Sequence, residues 1–127
     1  MKKEIRTNNA PQPIGPYSQA IMAKGNFVFL SGQIPLKPDG NVAEGGINEQ
    51  TKQVMENIKA VLTEASLTFD NLVKTTIFLS DMANFATVNQ IYGEYFKGTP
   101  PARSAFQVAR LPKDVLVEIE SIAVVED

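Results

Sequence analysis

The sequence predicts an α+β fold, a mixed β-sheet carrying two helices on one face in the order β-β-α-β-α-β-β. Three observations predict it. Ile47, Thr51, Val54, Met55, Ile58, Val61, Leu62 and Ala65 recur at helical spacing and form one apolar stripe. Phe85, Val88, Tyr92, Tyr95 and Phe96 form a second stripe, and Asn89 shares its side. Residues 27–31 and 72–79 are rich in β-branched and aromatic residues, with apolar side chains on both faces. Two helices cover only one face of such a sheet. The other face needs other subunits, so the pattern predicts a homo-oligomer.

The elements follow in order. Lys3 to Thr7 is a candidate extra N-terminal strand. Pro11, Pro13 and Gly15-Pro16 make residues 8–18 a loop, with Tyr17 and Ser18 at its exit. Gln19 to Ala23 leads through Gly25-Asn26 into Phe27 to Ser31. Both turn residues tolerate positive φ, which predicts a hairpin. Ser31-Gly32 ends the second strand, and Pro35 to Gly46 is a loop. Asn48 is the expected N-cap of the first helix and Asp81 of the second. Gly98-Thr99-Pro100-Pro101 stops the second helix. The runs ending at Ala109 and beginning at Val115 then predict a final hairpin around Arg110 to Asp114. The chain reads as one domain, residues 1–127.

Composition narrows the chemistry. With 43% hydrophobic and 20% charged residues, the chain has an ordinary globular balance. A net charge of −2 argues against a broad nucleic-acid-binding face. There is no cysteine and no histidine. Disulfides, thiol nucleophiles, histidine bases and histidine metal ligands are therefore excluded. No phosphate-binding glycine loop or metal-ligand spacing is present. The first residues lack the apolar core of a signal peptide, and no apolar run approaches the roughly 20 residues that span a bilayer. A cytoplasmic protein is expected.

The remaining equipment converges on Arg103 and Glu118. In a hairpin turning near Leu111-Pro112, Arg103 would face Glu118 or Glu120. The plain alternative is a cross-strand ion pair, contributing about 0–1 kcal/mol if exposed. Against it, Pro100-Pro101 stiffens the approach to Arg103, and both glutamates sit in an otherwise apolar strand. A guanidinium fork suits a planar carboxylate, and a carboxylate by an apolar wall can handle a proton. Asn89 is a candidate pocket amide, Tyr17 a hydroxyl or apolar wall, and Ser31-Gly32 a strand end near a ligand. Their plain alternatives are a satisfied core amide, a loop anchor and a turn. Thr75-Thr76 reads as strand and Lys2-Lys3 as a solvated pair.

Several motifs together resemble the Rid family of reactive-intermediate (imine) deaminases. They are Ile14-Gly15-Pro16-Tyr17-Ser18-Gln19-Ala20, Leu30-Ser31-Gly32-Gln33-Ile34-Pro35, Phe85-Ala86-Thr87-Val88-Asn89, Pro101-Ala102-Arg103-Ser104 and Ala109-Arg110-Leu111-Pro112. The resemblance runs in order along nearly the whole chain. It implies a chorismate-mutase-like α+β fold assembled as a homotrimer, with a central barrel and sites between subunits. It also implies hydrolysis of 2-imino acids, such as 2-iminobutanoate and 2-iminopropanoate, to 2-oxo acids and ammonia. A pyridoxal-phosphate-dependent threonine or serine dehydratase would supply the imine, and the protein itself would need no cofactor.

By that resemblance, Arg103 holds the substrate carboxylate and Glu118 orients and activates the water. Tyr17, Ser31, Gly32 and Asn89 line the pocket, and the backbone at Ala105 contacts substrate. Many members carry cysteine at that last position, so any thiol role is in doubt here. Two other functions compete: a sensor that binds 2-oxo acids without turnover, and the RNA cleavage or translation inhibition described for some relatives.

Overall fold

In the computed structural model, which describes residues 2–126, the last strand of the chain lies inside the main sheet rather than at its edge. The elements are β1 (Lys2–Ile5), β2 (Ala20–Ala23), β3 (Asn26–Gln33), α1 (Ile47–Glu64), β4 (Leu72–Leu79), α2 (Phe85–Gly93), β5 (Ala102–Gln107) and β6 (Val117–Val125). Strands β1 and β2 form an antiparallel pair. The other four form a mixed sheet in the order β3-β6-β4-β5, with β4 and β5 parallel. The mixed α+β class with two helices stands.

The predicted final hairpin does not. β5 pairs with β4, and β4 separates it from β6. The strand β4, helix α2 and strand β5 form a parallel crossover unit. Burial explains the order. β6 has interior residues along its length, with Val117, Ile119, Ser121, Ala123 and Val124 all buried, so it takes a central place. β5 has no fully buried residue and takes the edge. The connection from Val108 to Leu116 crosses the end of β4: Val108 N–H donates to Leu79 O and Ser80 N–H to Leu116 O. Lys113 and Asp114 adopt φ of 56° and 55° in its turn.

The Gly25-Asn26 hairpin also fails. β2 pairs with β1, whereas β3 pairs with β6. Gly25 has φ +139°, and a Cβ there would run into the carbonyl oxygen of Val125. The glycine lets the chain turn a corner against the end of β6, out of one sheet and into the other. Helix α1 begins one residue before the expected cap. Gly46 precedes it, and the Glu49 carboxylate accepts the Gly46 N–H at 2.8 Å. Asp81 caps a single 3₁₀ turn, Met82–Asn84, which leads into α2. Tyr95 and Phe96 follow the end of that helix and pack on Phe69.

Alternation along the strands assigns the faces. Thr75, Ile77 and Leu79 of β4, and Val117, Ile119 and Ser121 of β6, are buried toward the helices. Val54, Met55, Ile58 and Leu62 of α1, with Val88 and Tyr92 of α2, complete that core. Val61, expected in the stripe of α1, is exposed. The opposite face carries Phe29 of β3 and Phe106 of β5, 73% and 46% exposed, with Phe78 and Ile122 between them. That is the second face with apolar residues the sequence predicted, and among the described residues no helix covers it.

Candidate functional site

Arg103 is paired across the strands with Thr75, so it projects from the helix-covered face at its edge. Three rings surround its guanidinium: Tyr17 at 5.1 Å, Tyr92 at 5.4 Å and Phe85 at 5.5 Å to the centroids. Phe85 and Tyr92 lie on α2, partly and fully buried, and Asn89 sits between them in sequence. Its Oδ1 accepts a hydrogen bond from Arg103 Nη1. The Gly15 backbone closes over this pair. A Cβ there would come within 3.0 Å of Asn89 Nδ2 and 3.6 Å of Arg103 Nη2. Beneath the guanidinium, the buried hydroxyls of Tyr92 and Thr75 lie 2.7 Å apart and share a hydrogen bond.

The electrostatics of this cage are unbalanced. Burial pulls the Arg103 pKa down, while the Tyr92 and Tyr17 hydroxyls act to raise it. Among the described residues, no carboxylate pairs with it. A half-buried cation without a counter-ion is costly to maintain, and an arriving anion relieves that cost. Burial also pushes the Tyr92 hydroxyl up to about 12, against the pull of Thr75 and Arg103, so it stays neutral.

Glu118 belongs to a different cluster. It pairs with Phe78, and Glu120 pairs with Thr76, both on the face without helices. Gly32 lies directly under the Glu118 carboxylate, and a Cβ there would collide with Oε2. Ser31 continues the exposed alternation of Phe27 and Phe29 on β3. Burial raises the Glu118 pKa, and the neighbouring Glu120 charge raises it further. This carboxyl therefore holds a proton more readily than an ordinary exposed glutamate does.

The structure therefore brings Tyr17, Asn89 and Arg103 together on one face, and Ser31, Gly32 and Glu118 together on the other. It does not unite the two groups within one chain. The cross-strand ion pair between Arg103 and Glu118 or Glu120 is ruled out by the strand order. The Ala105 side chain points into the core beside Ile77. Sequence reasoning missed Phe85 and Tyr92 as walls of the arginine cage, having read them as core stripe. The available signal was that Asn89 shares their helical side. A surface cleft of about 380 Å³, lined by Lys59, Asp70, Glu94 and Lys97 among others, shares no residue with either cluster. Its two lysines and two acids balance, so it creates no comparable demand for an anion.

Comparison with known proteins places this geometry. The model of the family described as endoribonuclease L-PSP matches residues 7–125. A RutC family protein of Pyrococcus horikoshii is 56% identical over 124 residues, covering 97% of this chain and 98% of its own length. The 2-iminobutanoate/2-iminopropanoate deaminase of Mus musculus is 48% identical over 125 residues, covering 98% of this chain and 92% of its own. The crystal structure of E. coli TdcF with bound serine superposes with a TM-score of 0.76 at 44% identity, covering 98% of this chain and 99% of that one.

Proposed function

Since this chain belongs to the Rid family, whose model is described as endoribonuclease L-PSP, we propose that it hydrolyses 2-imino acids to 2-oxo acids and ammonia. The observation that carries this reading is the half-buried Arg103, caged by three rings and, among the described residues, lacking a carboxylate partner. Such a group fits a small planar carboxylate, which a guanidinium binds through two parallel hydrogen bonds. The relative named an imine deaminase and the relative holding serine support a substrate of that size.

The proposed reaction needs little more than position and one mobile proton. Arg103 holds the carboxylate and leaves C2 of the iminium facing a water on Glu118. The water oxygen adds to C2, and one of its protons passes to Glu118. Glu118 returns a proton to the nitrogen. Glu118 then takes the proton of the new hydroxyl as the C2–N bond breaks, leaving the 2-oxo acid and ammonia, and passes that proton to the ammonia. The raised pKa of Glu118 suits a group that must both accept and return a proton.

In this reading the functional unit is a homotrimer. The helix-covered face of one protomer supplies Arg103, Asn89 and Tyr17, and its neighbour supplies Glu118, Gly32 and Ser31. The apolar face bearing Phe29 and Phe106 supports such an assembly. Substrates would be 2-iminobutanoate and 2-iminopropanoate, released in the cytoplasm by a pyridoxal-phosphate-dependent dehydratase. RNA cleavage is disfavoured by the net charge of −2 and by the absence of histidine. The direct test adds the protein to threonine dehydratase, threonine and semicarbazide, which traps the imine. Free 2-oxobutanoate should form faster and the trapped adduct should fall. Progress curves matching a protein-free control would reject the reading.

A further inference from the structure

The approach to Arg103 has an unusual backbone. Pro100 and Pro101 have no N–H, so their carbonyls are the only main-chain handles on this stretch. The carbonyls of Thr99, Pro100 and Pro101 are all taken, in succession. Lys2 Nζ donates to Thr99 O at 3.0 Å and also to Asp70 O at 3.0 Å. Ser18 Oγ donates to Pro100 O at 2.5 Å, and Ser18 N–H donates to Pro101 O at 3.1 Å. Ser18 and Ala102 then form an isolated parallel bridge. Ser18 is only 2% exposed, so its hydroxyl is held by the protein rather than by solvent. Its chain neighbour is Tyr17, the ring closest to the Arg103 guanidinium. One serine thus ties the loop that carries Tyr17 to the strand that carries Arg103.

We propose that Ser18 is a positioning residue for the carboxylate anchor: its hydroxyl and its N–H set the separation of Tyr17 and Arg103 and so hold the guanidinium aimed at its ligand. The kinetic part of this assignment rests on Arg103 binding a 2-imino or 2-oxo acid. The geometric part does not.

The test is Ser18→Ala, with three readouts at a temperature where the variant is folded. Its Kd for 2-oxobutanoate and its KM for 2-iminobutanoate should rise about five- to tenfold, with kcat changed less than about twofold. In an Arg103→Lys background the same substitution should change Kd by less than about twofold, because its effect runs through the guanidinium. In a ¹⁵N spectrum, the Arg103 Nε–Hε resonance should leave its ring-shifted position and move toward that of an exposed arginine. A lower Tm with an unmoved Arg103 resonance and unchanged affinity would overturn the proposal and leave Ser18 a structural residue. If Ser18→Ala does not fold, Ser18→Cys keeps the volume with a weaker donor and is judged by the same criteria. If the unmodified protein neither binds 2-oxobutanoate nor speeds imine hydrolysis, the functional reading fails, and the Arg103 resonance alone decides the role of Ser18.

Discussion

Arg103 and Glu118 stand on opposite faces of one sheet, separated by strand β4. A ligand touching both must lie between two copies of the chain. Arg103→Ala and Glu118→Ala homo-oligomers should each be inactive in the semicarbazide assay. Mixed in equal amounts and reassembled, they should recover about a quarter of the unmodified activity, the fraction of interfaces that pair two intact halves in a cyclic assembly. Mixed oligomers verified by mass spectrometry but showing no activity would place both residues in one chain's site. Glu118→Ala with unimpaired cellular effect and intact 2-oxo acid affinity would instead favour a sensor without turnover.

Gly32 is needed under the Glu118 carboxylate, where any Cβ would collide with it. Gly32→Ala should therefore displace the Glu118 carboxylate without touching Arg103. A shift of about 1 Å at a reacting group costs on the order of 100-fold. Steady-state kinetics should show kcat falling by about 10- to 100-fold, with KM for the imine little changed. A loss confined to KM would show that Gly32 acts on binding.

The raised pKa of Glu118 has two causes, burial first and Glu120 second. If its carboxylate form accepts the water proton, the acid limb of kcat should lie above the ordinary glutamate range. Glu120→Gln should move that limb to lower pH. For stability the sign is opposite to the usual carboxylate case. The native state holds this proton more tightly than the unfolded chain, so the contribution is complete below the ordinary glutamate pKa and is lost as pH rises through the raised folded value. Glu118→Gln should accordingly raise Tm at neutral pH while abolishing turnover. A lower Tm in that variant would contradict the assigned desolvation.

Tyr92 joins the arginine cage to the core through its bond to Thr75. Tyr92→Phe keeps the ring against Arg103 but strands the Thr75 hydroxyl, which is 1% exposed. Denaturant unfolding should show a loss of about 1–3 kcal/mol. Affinity for 2-oxobutanoate should change much less, since the ring platform remains.

The types of the elements were legible in the sequence because they follow from local pattern, and the partners of the strands were not. The stripe of Thr51, Val54, Met55, Ile58 and Leu62 needs only a buried face to declare itself. β5 and β6 look like a hairpin because they are close in sequence. Their relative burial decides otherwise, since Val117, Ile119 and Ala123 demand a strand on each side. Arg103 and Glu118 stood out in the sequence as candidates because histidine and cysteine are missing. Their opposite facing was not, because a face is defined only once register and partners are known. Phe85 and Tyr92 were hidden by their own periodicity, which is the same for packing on a core and for walling a cation. The Ser18–Pro100 bond joins residues 82 apart and leaves no local mark.

The placement of β6 has a consequence for how the molecule comes into being. A sheet ordered β3-β6-β4-β5 lacks two of its three pairings, β3–β6 and β6–β4, until residues 117–125 are available, since β3 and β4 have no ladder of their own. During synthesis the amino-terminal part of a chain usually has the first opportunity to fold. Within the four-stranded sheet that opportunity is limited to the β4-α2-β5 crossover, whose partners are near in sequence and therefore quick to meet. The arginine cage belongs largely to that early unit, whereas the seat of Glu118 exists only after β6 has slipped between two waiting edges. Shortening the protein within residues 117–125 would accordingly remove the middle of its sheet, and ribosome-stalled chains ending before Val117 should remain sensitive to protease along β3.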